Sequence, residues 1–265
     1  MEELDLNSIK AYELDVMAQV HQFCEEHKLT YYLLFGTLLG AIRHNGFIPW
    51  DDDIDIAMPR KDYEYFIQHF DLEDYGVYSC KNNKKYLFAF AKAFHRKTVK
   101  CEKVWLPRGY EIGVDVDIFP LDEVPFKSCP QREIKLRKRL LYFWGQSIEE
   151  YKRSWSPKAI LGNILRFFMH GKTNRIAKAL HRRTLHLSKP GNYYMVYTDG
   201  STKAPLIYDK AIFAERELHQ FESCEFYVCR NYDAFLTQCY GDYMTPPPED
   251  KQVPHHSFAA YRKEK

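Results

Sequence analysis

Long apolar runs are missing from this chain of 265 residues. None reaches the roughly 18 consecutive apolar side chains that a membrane-crossing helix needs, so no such helix is expected. The opening Met-Glu-Glu-Leu-Asp-Leu is acidic and lacks the apolar region of a secretory signal. Cysteine spacing is unpatterned. The seven residues (24, 80, 101, 129, 224, 229 and 239) are odd in number and contain no Cys-x-x-Cys, which excludes an evident disulfide frame or zinc site and fits reduced thiols. Internal repeats, low-complexity tracts and recognised nucleic-acid modules are also missing, so nucleic acid is not an expected partner. At 45% hydrophobic the chain can bury a full core, as one large domain or one domain with an insertion. These features predict a cytoplasmic protein, with peripheral contact at the inner face of the plasma membrane as its expected relation to lipid.

Acids are scarce in one segment. Residues 127–189 hold 16 Lys and Arg against Glu133, Glu149 and Glu150, a local charge of +13 within a chain of +2, which leaves −11 elsewhere. Such a block seeks an anionic partner, and an anionic membrane or a phosphate-rich glycan fits best; the plainer alternative is a solvated helical face. Inside it, Ser156-Pro157 reads as a helix start and Gly171 as its end. Ile160, Leu161, Ile164, Leu165, Phe167 and Phe168 fall on one side of that helix, with Lys158, Asn163, Arg166 and His170 on the other, and Trp155 precedes it. The apolar side either covers the core or lies in a membrane interface.

Where acids do gather, they gather densely. Trp50-Asp51-Asp52-Asp53-Ile54-Asp55-Ile56 places four carboxylates in five residues. Read as a strand, it puts Asp51, Asp53 and Asp55 on one face and Ile54 and Ile56 in the core. Carboxylates so close repel one another unless a hard divalent cation joins them; Mg2+ is the expected ion, with Mn2+ as its substitute. Pairs of such ions serve phosphoryl transfer. Upstream, Tyr31 to Phe35 reads as a buried strand, Gly36-Thr37 as a turn with free N–H groups suited to phosphate, and Leu38 to His44 as a short helix. Strand, Gly-Thr turn, short helix and Asp-x-Asp strand is the order of the polymerase-beta-like nucleotidyltransferases. Gly113-Val-Asp115-Val-Asp117-Ile-Phe-Pro120 reads as a second strand, ended by proline, with Asp115 or Asp117 completing the cage.

The run from Phe35 to Met58 resembles the signature of the LicD family, as do Asp117-Ile-Phe-Pro-Leu-Asp122, Tyr240-Gly-Asp-Tyr-Met-Thr-Pro-Pro-Pro-Glu249 and the following His255-His256. The matches span residues 31–258. Family members transfer phosphocholine from CDP-choline to sugars of teichoic acid, lipopolysaccharide or capsule, and the eukaryotic fukutin-related protein transfers ribitol phosphate from CDP-ribitol. The eukaryotic relative's cysteine-rich zinc element has no match here. The resemblance implies a Mg-dependent CDP-alcohol phosphotransferase acting on a glycan acceptor, expected to be lipid-linked. The family's motif aligns with Asp117 rather than Asp115.

The expected fold is α/β (α+β): a nucleotidyltransferase core with a mixed, twisted sheet flanked by helices. Residues 1–126 form the catalytic core, 127–189 a basic helical insertion, and 190–265 the part that completes the core. Helices are expected over 8–28, 60–70, 130–144, 173–187 and near 231–240, and strands over 86–94 and 112–119. Asp51, Asp53, Asp55, Asp115 and Asp117 are the expected metal ligands, with Asp53, Asp55 and Asp117 catalytic. His255 and His256 are candidates for holding a phosphate, orienting the acceptor or acting as base. Gly36, Thr37, Arg43, His44, Trp50 and Lys92 are the expected substrate contacts; the arginine fork suits phosphate oxygens and the indole suits a quaternary ammonium. The expected reaction is in-line attack by a sugar hydroxyl on the phosphorus bearing the alcohol, with CMP leaving. The alternatives are NMP transfer from an NTP to a small acceptor, and transfer of another CDP-linked alcohol phosphate such as ribitol or glycerol.

Overall fold

The computed structural model describes residues 1–198, 204–253 and 258–264. The chain opens with β1 (Glu2–Glu3) and the long helix α1 (Leu6–His27). Asp5 caps this helix, its carboxylate accepting the Ser8 N–H at 2.8 Å. Val16, Met17, Val20, Phe23 and Cys24 recur at helical spacing and are buried, so α1 lies along the core. β2 (Tyr32–Leu33), α2 (Phe35–His44), β3 (Asp55–Pro59) and α3 (Arg60–His69) follow. Then come β4 (Tyr75–Tyr78), β5 (Ala91–His95), β6 (Thr98–Glu102) and the ten-residue β7 (Asp115–Val124).

Three helices, α4 (Gln131–Ile148), α5 (Pro157–Met169) and α6 (Thr173–Leu187), join β7 to its antiparallel neighbour β8 (Tyr193–Val196). The chain closes with β9 (Leu206–Asp209), the hairpin β10 (Arg216–Phe221) and β11 (Cys224–Cys229), α7 (Tyr232–Tyr240) and β12 (Phe258–Arg262).

The main sheet runs β2-β3-β7-β5-β4, with β8 on the distal half of β7 and β9 beyond it. Only β3 and β7 pair in parallel among the described strands. Their register sets Asp55 beside Asp117. The fold is therefore an α+β arrangement around a mixed sheet, as the nucleotidyltransferase reading expects. β1, β12 and β6 form a smaller sheet.

Several boundaries differ from the sequence expectation. β7 does not stop at Pro120. Its partner β5 ends its pairing at Ile118 and β8 begins at Asp122, so proline occupies the interval where that edge needs no ladder donor. The strand expected over 86–94 forms only from Ala91. Residues 31–35 supply just two strand residues, and α2 starts at Phe35. The basic helices are not a detached body. Ala177 and Leu180 of α6 are buried in one cluster with Tyr86, Val124 and Met195.

Candidate active site

The acidic run is not a strand until its last member. β3 begins at Asp55, and residues 51–54 form an irregular approach to it. The alternation predicted for Asp51, Asp53 and Asp55 is thus replaced by a turn, in which the Asp51 N–H donates to the Ile48 carbonyl at 2.9 Å. The outcome at the site is similar. Asp51, Asp53, Asp55 and Asp117 all line one pocket of about 720 Å³. The turn also changes the standing of Asp52, which alternation had put on the opposite face. Asp51, Asp52 and Asp53 each bring a carboxylate oxygen within 4.8 Å of the others. Asp52 is buried, and period-two reasoning missed it because no strand exists there.

Local hydrogen bonds hold this approach in place. The Asp55 N–H donates to Thr37 Oγ1 at 2.7 Å, the Leu34 N–H to the Asp55 carbonyl at 2.9 Å, and the Asp117 N–H to the Ile54 carbonyl at 2.8 Å. Thr37 is buried and does not line the pocket. Its hydroxyl binds α2 to the start of β3. Gly36 does line the pocket, with Asp51 Oδ2 only 2.7 Å from where a β-carbon would stand. Phe35 enters α2 with φ of 45°, a left-handed conformation that is costly for a bulky side chain and turns the chain sharply between strand and helix.

Lys92 and Asp115 stand apart from the other candidates. Both are buried and neither lines the pocket. Lys92 Nζ lies 2.5 Å from Asp115 Oδ2 and also pairs with Asp117, while Lys100 Nζ lies 2.7 Å from Asp115 Oδ1. Lys92 is thus a buried counter-charge to both aspartates of β7. Asp115 is a buried carboxylate paired with both lysines. Burial raises the Asp115 carboxyl, but Lys100 and Lys92 outweigh it and hold it at about 2. Asp117 is different. Burial pushes it up to about 6, against the pull of Lys92. Asp122 of the same strand is buried and forked by Arg60 at 2.9 and 2.6 Å.

Asp55 shows most clearly what the pocket suits. Burial, then Asp53, Asp117 and Asp51, push its carboxyl well above the usual range. Oxygen donors that raise one another in this way are relieved by a hard cation, so the residues fit a divalent metal of the Mg2+ or Mn2+ type. Glu13 of α1, near Asp53 and Asp52, is fully buried with neither oxygen hydrogen-bonded, and burial pushes its carboxyl up too.

Aromatic walls face these acids. Phe35, Trp50, Phe90, Phe119, Tyr208, Tyr240 and Tyr243 line the pocket. The segment after α7 contributes Asp242, Tyr243 and Thr245, and the Tyr243 carbonyl accepts Arg43 Nη1 at 2.9 Å. Arg43 and Trp50 both line the pocket. His44 is exposed and away from the lining, its Nε2 accepting from Arg43 Nε at 3.0 Å. His255 and His256 lie outside the described residues.

A mixed sheet that presents clustered aspartates on paired strands beside a Gly-Thr helix start defines a nucleotidyltransferase-type site. Comparison with known proteins agrees. The model of the LicD/FKTN/FKRP nucleotidyltransferase domain matches residues 28–140. The lipopolysaccharide cholinephosphotransferase LicD of Haemophilus influenzae is 32% identical over 278 aligned positions, covering 98% of this chain and 99% of that protein. An uncharacterized protein of Rickettsia typhi is 36% identical over 80 residues, 30% of this chain and 25% of the relative. The chain belongs to the LicD family. No helix among the described residues is long and apolar enough to cross a membrane.

Proposed function

We propose that this protein moves phosphocholine from CDP-choline to a sugar hydroxyl of a cell-envelope glycan in the cytoplasm, releasing CMP. Lipopolysaccharide is the first acceptor class to test, because the full-length relative is named for it; teichoic acid and capsule precursors come next. The observation that carries the reading is one pocket lined by Asp51, Asp53, Asp55 and Asp117 together with seven aromatic side chains. The acids suit the metal-bound diphosphate of the donor. The rings suit a quaternary ammonium, which they attract through their π faces.

Asp51, Asp53, Asp55 and Asp117 would hold Mg2+. When bound, such ions neutralise phosphate charge and orient the oxygens of an in-line displacement. Arg43 supplies a cation on the pocket wall for the phosphates. Thr37 keeps Asp55 at the head of β3 through its hydrogen bond. Lys92 withdraws charge from Asp117 on the buried side, which keeps that carboxylate available as a ligand near neutral pH. The sugar hydroxyl attacks the phosphorus bearing choline, the bond from that phosphorus to the CMP oxygen breaks, and the hydroxyl proton leaves with the solvent or a nearby base.

The test is turnover of CDP-choline, CDP-ribitol, CDP-glycerol and CTP, each with Mg2+ and a lipopolysaccharide acceptor. CMP release with choline incorporated into the glycan is expected from CDP-choline alone. Preference for CDP-ribitol or CDP-glycerol would reassign the alcohol. Pyrophosphate release from CTP would replace the reading with ordinary nucleotidyl transfer.

A further inference from the structure

Helix α5 is mounted inside out. Its polar side faces the protein: Arg166 is buried and pairs with Glu149, and Asn163 exchanges hydrogen bonds with the Lys152 backbone at 2.9 Å in both directions. The adjoining His170 stacks on Trp105 with ring centroids 4.3 Å apart. The apolar side faces out. Leu161 is 70% exposed and Phe167 69%, with Ile160, Ile164 and Phe168 exposed beside them. Trp155, just ahead of the helix, is 93% exposed. Core packing does not explain these residues, since the contacts that anchor α5 come from its other face.

We propose that this face is a docking surface for an anionic lipid bilayer. Trp155, Ile160, Ile164, Phe167 and Phe168 line a shallow concavity together with Lys152 and Arg153. Apolar side chains with a tryptophan and flanking cations are the chemistry of a helix lying in the headgroup plane. The surrounding charge favours the same occupant. Of the three acids within the +13 segment, Glu133 is buried on Arg183 and Glu149 is paired with Arg166, so little negative charge opposes the basic side chains. A second copy of the chain on this face would bring Lys152 and Arg153 against their own kind, whereas anionic headgroups complement them. At 13 residues α5 is about 20 Å long, enough to lie in an interface and too short to span it. Attachment of this kind is independent of the transfer chemistry.

The test is flotation of the full chain with vesicles of phosphatidylcholine alone and of phosphatidylcholine with phosphatidylglycerol, at low and high salt. Binding is expected to the anionic vesicles, weakening with salt. It should fall about tenfold or more in Phe167→Ser and again in the pair with Phe168→Ser, while thermal stability and CDP-choline affinity stay unchanged. Lys152→Glu with Arg153→Glu should abolish the preference for anionic over neutral lipid. Tryptophan emission should shift to the blue on binding in the wild type and much less in Trp155→Phe. Wild-type protein that stays unbound on anionic vesicles at low salt overturns the proposal. So does a dimer that the Phe167 and Phe168 substitutions dissociate, which would give the face to a second copy. Equal vesicle binding by wild type and the double Phe variant, or a loss of stability in that variant, would also overturn it.

Discussion

A β-carbon on Gly36 would stand 2.7 Å from Oδ2 of Asp51. The start of α2 and the acidic turn are therefore packed together as closely as the absence of a side chain permits, with no positive φ recorded at Gly36. Gly36→Ala is expected to fold normally, because the atom it meets is the end of a side chain that can swing aside. That swing moves a carboxylate of the proposed metal set. Misplacement of about 1 Å can lower turnover roughly a hundredfold. Unchanged thermal stability with strongly reduced turnover and weaker Mg2+ binding by calorimetry is the expected pair of results. Full activity would show that Asp51 has no positional role.

Thr37 supplies the acceptor for the Asp55 N–H inside the fold. Thr37→Val keeps the shape and removes that acceptor, which should cost about 1–3 kcal/mol for the unsatisfied donor. Thr37→Ser should restore most of the loss. Urea midpoints of the three proteins decide the matter; a valine variant as stable as wild type would show that the bond contributes nothing.

Aspartates that line the pocket and the aspartate that does not should separate by phenotype. Asp53→Asn and Asp55→Asn are expected to abolish transfer and leave folding intact, since both line the pocket where a cation would sit. Asp51→Asn should be milder. Asp115→Asn should instead destabilise the protein by about 3–5 kcal/mol, because it leaves Lys92 and Lys100 buried with too little opposing charge. Turnover beside denaturant unfolding for each variant tests the division. A stable, inactive Asp115 variant would return that residue to the metal set.

These pairs also mark what was legible in the sequence. Asp53 and Asp55 were visible because dense carboxylates need a counter-charge wherever they stand. The helices α1, α3, α6 and α7 were visible from apolar spacing and from breakers such as Pro59. Asp52 was hidden because alternation holds only inside a strand, and the strand starts at Asp55. Lys92 is a charge within the apolar run Phe88 to Phe94, and its partner lies one strand away, across the register that pairs it with Asp117. The orientation of α5 was hidden for a related reason. Its pattern shows two faces, and only Glu149 and the Lys152 backbone, outside the helix, decide which is inward.

Buried histidine gives a pH test away from the site. His181 of α6 is 5% exposed, neither ring nitrogen has a hydrogen-bond partner, and Glu64 Oε1 lies 3.6 Å away. Burial first, then Arg60, push the imidazole down to about 4 from its ordinary 6.5. The folded protein thus keeps this ring neutral, while the unfolded chain takes up a proton near pH 6.5. Stability from this residue is complete above that pH and is lost as pH falls toward 4. Between pH 7 and 5 the loss should be about 2 kcal/mol. His181→Leu cannot titrate, so its stability should fall by about that much less over the same interval, whatever the carboxylates contribute to both proteins. Urea unfolding of wild type and variant at the two pH values measures the difference directly. Parallel losses in the two proteins would show that His181 titrates alike in the folded and unfolded chain.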